Sequence, residues 1–272
     1  MPSAVFFTSD RSEGGRIPNN HKPAISSGNG VLSNQILAAL PSGEFEQFAA
    51  KLRPVHLELG ETLYMPEQKI EHVYFINRGV VSILAALENG ATVEAGVIGP
   101  EGMAGIPVVL GADSTPNQAL IQSEGEALRM SSRDVKIEFR KGGKLRDLLL
   151  NYTHTLFTQV AQTAACNRLH SIEQRLARWL LLTQDRVGRN EFVLTQDFLS
   201  RMLGVRRAGV SVAASTLKQA GLIDYKRGII FVLDRQGLEN YSCECYRIVK
   251  EEYDRYLAMY FGSGSPLRSA KF

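Results

Sequence analysis

No apolar run in this 272-residue chain approaches the ~18 residues needed to cross a bilayer, so a spanning helix is excluded. Near the N-terminus only Val5-Phe6-Phe7 is apolar before polar residues resume, and no secretory leader is expected. Cysteine is scarce: three residues, an odd number, with Cys243 and Cys245 separated by a single position. That is no disulfide framework, and it predicts a protein of the reducing cytoplasm. The five histidines form neither an H-x-H nor an H-E-x-x-H pattern, so a metalloenzyme has no ligands to build from. No nucleophile stands beside a base, and no phosphate-cradling loop leads into a helix. The chain is expected not to be an enzyme and to carry no cofactor and no metal.

What remains is an ordinary globular composition, 44% hydrophobic and 22% charged, long enough for two modest domains. The net charge of +3 hides an asymmetry. Residues 166–272 carry 17 basic against 11 acidic side chains, whereas 1–165 carry 14 against 17. A basic C-terminal part on a mildly acidic N-terminal part suggests that only the former meets a polyanion.

Residues 1–30 hold 15 Gly, Ser, Pro or Asn, too few aliphatics to offset ordering entropy, and are expected to be a disordered tail. A helix is expected over Val31–Leu52. From Arg53 to about Met130, short apolar runs alternate with turns at Asn77-Arg-Gly79, Glu88-Asn-Gly90 and Gly99-Pro-Glu-Gly102. Many short strands at close spacing predict a compact β-barrel or β-roll domain over 31–142. Past Gly142-Gly143 the period becomes helical: Leu145, Leu149, Tyr152, Leu156, Gln159, Thr163 and Cys166 recur every three or four residues. A long helix with one such face predicts dimerisation through 143–170. A further helix begins at Ser171, where Ser171 and Gln174 form a capping box and Ile172, Leu176, Trp179 and Leu180 form the buried face.

The stretch 195–217 is the most informative. Thr195 caps a short amphipathic helix ending at Leu203, and Gly204-Val205 supplies a turn. The next helix, Arg206 to Ala220 with Gly221 as C-cap, is built mostly from small side chains. Val210, Ala213, Ala214 and Leu217 form its apolar stripe; Arg207, Ser211, Ser215 and Lys218 form the opposite one. The major groove is about 12 Å wide, so small side chains let a helix sink in while arginine reaches guanine or phosphate. A hairpin follows, turning at Lys226-Arg227-Gly228, and its basic tip is placed to meet backbone phosphate. The pattern is a winged helix-turn-helix over 171–246, followed by a C-terminal helix and tail over 247–272. The bases and phosphates of double-stranded DNA are expected to meet Arg206, Arg207, Ala208, Ser211 and Val212, with Ser215, Lys218, Lys226 and Arg227 beside them. A rival reading is a small-molecule sensor whose C-terminal helices contact protein.

The order of β-roll, long helix and winged helix-turn-helix resembles the cyclic-AMP receptor protein and Fnr superfamily of bacterial regulators, with 195–223 similar to its DNA-binding motif without a gap. The resemblance implies an α+β fold and a cytoplasmic homodimer on a palindromic operator. It further implies RNA polymerase as a partner if the protein is an activator. It puts Arg207 on the family's first base-reading arginine, Ala208 where many members hold a glutamate, and Val212 where they hold a second arginine. It also implies a cyclic-nucleotide-binding-like domain in which Gly99, Glu101, Gly105, Ser114 and Thr115 occupy the effector pocket. That pocket is degenerate: Glu94 through Leu128 holds five carboxylates and no Lys, Arg or His, so a cyclic phosphate lacks its usual guanidinium. Cyclic AMP is therefore not the expected effector. Some members hold an iron–sulfur cluster, for which Cys166, Cys243 and Cys245 are too few and too scattered. Cys166 and His170, four residues apart, are expected to be a buried thiol beside a solvated imidazole.

Overall fold

The computed structural model describes residues 33–261; the expected tail over 1–30 lies outside the described residues. Two short helices come first, α1 (Gln35–Ala38) and α2 (Ser42–Ala49). The single helix expected over Val31–Leu52 is thus broken, because Pro41 has an extended backbone at φ −56°, ψ 145° and caps the second segment.

Strands β1 (Arg53–Leu57), β2 (Thr62–Tyr64), β3 (His72–Ala86), β4 (Thr92–Ile98) and β5 (Met103–Ala104) follow, then α3 (Ile106–Val109) and β6 (Asn117–Ser131). All pair antiparallel, in the order β1-β6-β3-β4, with β2 on β6 and β5 on β3. Strands β3 and β6 are the backbone of the roll, running in register from His72↔Ser131 to Ala85↔Asn117 through three bulges that curl the sheet. Val73, Phe75, Ile76, Val80 and Val81 are fully buried inside it, and Phe48 packs edge-on to Phe75 at 5.5 Å. The roll ends in a helix absent from the sequence expectation, α4 (Ser132–Lys141), capped by Ser131.

Helix α5 (Gly143–Leu169) spans 27 residues, and α6 (Ile172–Val187) starts on the expected capping box, both Ser171–Gln174 bonds measuring 3.3 Å. Then come β7 (Glu191–Val193), α7 (Gln196–Leu203), α8 (Arg207–Gln219), β8 (Ile223–Lys226), β9 (Ile229–Val232), α9 (Arg235–Tyr241) and α10 (Glu244–Phe261). Strand β7 adds a third member to the wing, in the order β7-β9-β8. Ala220, one residue before the expected Gly221, caps α8. The wing tip is a two-residue turn with Arg227 at φ 50° and Gly228 at φ 81°. Both signs are positive, as a hairpin turn that matches strand twist requires.

The stripe read as a dimer seam points into the chain's own core. Leu145, Leu149, Tyr152, Gln159 and Thr163 are buried, and Leu156 is half-buried, against the roll and α10. Tyr256 of α10 lies 6.1 Å from the Tyr152 ring. A three-to-four period reports a buried face without saying which partner buries it. The face left in solvent instead carries Leu150, Phe157, Ala161 and Ala164. Leu149→Asp is therefore expected to unfold the protomer, costing more than about 4 kcal/mol in urea denaturation, because a carboxylate would be buried without a partner. A variant that sediments as a folded monomer would return the stripe to the seam.

Candidate nucleic-acid interface and its coupling to the roll

The helix-turn-helix is built by local rules. Thr195 accepts the Phe198 amide at 3.1 Å to open α7, and Gly204 at φ 61° turns the chain where a side chain would be strained. Val205, in the turn, is partly buried against the core. Helix α8 buries Val210, Ala213, Ala214 and Leu217, as the pattern required. Its outer face exposes Arg206, Arg207, Ala208, Val212 (61% exposed), Ser215 and Lys218. Ser211 is half-buried; its hydroxyl lies 2.8 Å from Gln196 Oε1 and ties α8 to α7. Arg207 reaches Asp197 at 3.5 Å, with both side chains well exposed, a pair that solvent screens.

The wing is joined to α8 by a carboxylate that sequence reasoning passed over. Asp224 on β8 holds Lys218 at 2.7 Å and Lys226 at 2.6 Å. Hydrogen bonds from those two ammonium groups hold its carboxyl far below the usual range. The Lys226 and Arg227 side chains are exposed at the wing tip, and Asp224 brings Lys226 to the same side of the motif as Lys218.

The helix-turn-helix elements are packed on the roll. A Cβ at Gly204 would stand 3.0 Å from Val93 of β4, so the end of α7 touches the sheet. Helix α6 is buried on nearly every side from Arg175 to Gln184. Its Arg186, 5% exposed, donates to Glu101 Oε1 at 2.7 Å, to the Leu182 carbonyl at 2.9 Å and to Gln159 Oε1 at 3.2 Å. Its guanidinium also lies 4.9 Å from the Tyr253 ring centroid. The expected pocket residues are thus dispersed. Gly99 and Glu101 are together, the Gly99 amide donating to Glu101 Oε1 at 3.1 Å, but both lie against Arg186. Gly105 packs on Val73, and Thr115 is buried at the turn where its carbonyl accepts the Glu67 amide. Ser114 is half-exposed.

A second connection runs through hydrogen bonds. Ser82 Oγ lies 2.7 Å from Glu94 Oε2 and 2.9 Å from Gln122 Oε1, and Gln122 Nε2 donates to Thr183 Oγ1 of α6 at 2.8 Å. One serine proton cannot serve two acceptors, so the chain closes when Glu94 is protonated and donates to Ser82. Burial pushes the Glu94 carboxyl up to about 7, against the opposing pull of the Ser82 bond, Arg178 and Arg186.

Cysteine placement also departs from expectation. Cys166 and His170 are not an isolated thiol and imidazole; Cys243 and Cys245 meet them across the end of α5. No sequence cue links the two pairs, because the second lies more than 70 residues downstream.

A β-roll joined by a long helix to a winged helix-turn-helix with a cationic, small-residue outer face defines a DNA-binding transcription regulator. Residues 54–141 match the family model for the cyclic nucleotide-binding domain, and residues 174–241 that for the Crp-like helix-turn-helix domain. The chain belongs to the Crp/Fnr family of transcription regulators, and it is not an enzyme. No curated protein sequence matches it. Among solved structures it is similar to a Crp/Fnr-family transcriptional regulator from Eubacterium rectale at 15% identity and TM-score 0.61, covering 76% of this chain and 96% of that one. FixK2 from Bradyrhizobium japonicum is similar at 17% identity and TM-score 0.61, covering 71% and 98%. The c-di-GMP responsive regulator CLP from Xanthomonas campestris is similar at 15% identity and TM-score 0.59, covering 71% and 100%.

Glu94 generates a pH prediction. The unfolded chain gives up this proton near 4.5, whereas the folded protein keeps it to about 7. The folded state therefore binds more protons across that window, and stability falls as pH rises through it. Glu94→Gln is expected to remove this loss, leaving the variant more stable than wild type above pH 7 by on the order of 3 kcal/mol. Parallel urea denaturation curves at both ends of the window would disprove it.

Proposed function

We propose that the protein regulates transcription as a homodimer on a palindromic operator, under an effector other than cyclic AMP. The observation that carries the reading is the outer face of α8 and the wing. There five exposed cations (Arg206, Arg207, Lys218, Lys226 and Arg227) accompany a helix strip reduced to Ala208, Val212 and Ser215. Arg207 reads a base and the wing lysine and arginine hold phosphate, while Ala208 and Val212 are suited to thymine methyl groups rather than polar base edges. Arg206, Lys218 and Lys226 add sequence-independent attraction. Ser211, turned toward Gln196, positions the helix and makes no base contact.

Dimerisation is assigned to the solvent face of α5. Leu150 is 46% exposed and Phe157 is 69% exposed, at a spacing of seven residues that Ala164 continues. Such a stripe suits a second copy of the same helix, and the two-fold axis so created matches two half-sites about one DNA turn apart. If the protein activates, RNA polymerase is its further partner. Cyclic AMP is disfavoured because Glu101 is already paired with Arg186 and the segment 94–128 supplies no cation.

Selection from a random DNA pool, followed by anisotropy titrations over a salt series, tests the reading. Arg207→Ala should lose about 1–3 kcal/mol at the selected site and little elsewhere. Lys226→Ala should weaken all sequences alike and lower the salt slope by about one. Unchanged affinity in both variants would sink the assignment. Phe157→Asp should give folded monomers in sedimentation; an intact dimer would move the interface elsewhere.

A further inference from the structure

Three cysteines and a histidine, far apart in the chain, meet at the joint between α5 and α6. Cys166 lies in the last turn of α5, and His170 caps that helix. Cys243 and Cys245 flank the start of α10. One donor atom from each falls within 4.8 Å of every other. Cys166 Sγ and Cys243 Sγ are 3.5 Å apart, and Cys245 Sγ is 3.5 Å from His170 Nδ1. With Zn–S near 2.3 Å and Zn–N near 2.0 Å, a tetrahedral ion places its ligand atoms about 3.5–3.8 Å from one another. The cluster is therefore at the scale of one ion. An iron–sulfur cluster spreads its thiolates over several irons and needs a wider cage.

The surroundings are those of a ligand set. His170 Nε2 lies 3.3 Å from Glu244 Oε2, which fixes the ring with Nδ1 toward the sulfurs, the carboxylate–histidine arrangement that orients metal ligands. Gln162 Nε2 donates to Cys245 Sγ at 3.2 Å, a bond that suits a thiolate. Two buried arginines, Arg175 and Arg178, lie within electrostatic reach of Cys166. Neither forms a salt bridge with a carboxylate among the described residues, although Arg178 also acts on Glu94 at longer range, and the Nε of each is buried without a hydrogen bond. A divalent ion with three thiolates and one neutral imidazole carries one net negative charge, which supplies what these guanidiniums lack.

We propose that Cys166, His170, Cys243 and Cys245 form a binding site for a single thiophilic divalent cation, zinc above all, clamping α10 to the end of α5. Soft sulfur ligands with one imidazole select zinc over magnesium, calcium or manganese. Binding displaces the three thiol protons to solvent and needs no redox partner. All four positions for ligands are filled by protein, so the ion is structural rather than catalytic. The clamp sits where α6 departs toward the DNA-binding elements, and so fixes the direction in which α6 leaves α5.

The test uses the full chain, purified without a metal-affinity step, with metal measured by plasma mass spectrometry. About one zinc ion per chain is expected, with all three thiols protected from a thiol reagent until a chelator is added. Cobalt(II) added to the chelated protein should give the visible bands of a tetrahedral thiolate complex, and zinc should displace it. Cys245→Ser should abolish cobalt binding. Glu244→Gln, on a side chain 60% exposed, should fold normally yet bind cobalt at least about tenfold more weakly. Protein that is metal-free, gives no cobalt bands and shows three freely reactive thiols overturns the proposal. So does a Cys166–Cys243 disulfide in the fresh protein, or iron with acid-labile sulfide.

Discussion

One guanidinium, that of Arg186, governs how the two halves of this regulator meet. A buried charge is costly unless each donor is matched, and here a carboxylate, a carbonyl, an amide oxygen and an aromatic face match it. The partners come from four elements or their edges: Glu101 beside the roll, Gln159 on α5, Leu182 on α6 itself and Tyr253 on α10. None of these can move alone without leaving an uncompensated ion. The roll, the long helix and the first helix of the DNA-binding part are thereby tied at a single point.

That tie alters what the roll can do. By family resemblance Glu101 belongs to an effector pocket, but here it is engaged by the helix that carries the winged motif. A ligand competing for Glu101 would have to displace Arg186, the α6 side chain that Glu101 now holds. The hydrogen-bond chain from Glu94 through Ser82 and Gln122 to Thr183 runs parallel to it, and depends on a proton instead of a salt bridge.

Local chemistry was readable from the sequence, and long-range pairing was not. The Ser171 capping box, the Thr195 cap, the Gly204 turn and the small-residue stripe of α8 each follow from residues within one or two turns of one another. The α5 stripe showed burial but not the partner, because a helix period is the same whether a roll or a twin covers it. Asp224 drew no reading from its chain neighbours; only the hairpin brings it between two lysines. Arg186 likewise drew no reading, since its carboxylate partner Glu101 lies 85 residues away, and Cys243 and Cys245 had nothing near them in the chain. In each case the missing information was a contact across many tens of residues.

The wing tip shows what such constraints cost. Arg227 sits in the left-handed region, where an L side chain loses roughly 1–2 kcal/mol and where asparagine or glycine is at ease. The hairpin tolerates this because β7 pairs along β9 and braces the ribbon from its other edge. A charged side chain is therefore kept at a turn position whose backbone disfavours it. The wing gives up backbone ease for surface charge, and the sequence that would fold best at this turn is not the one it carries.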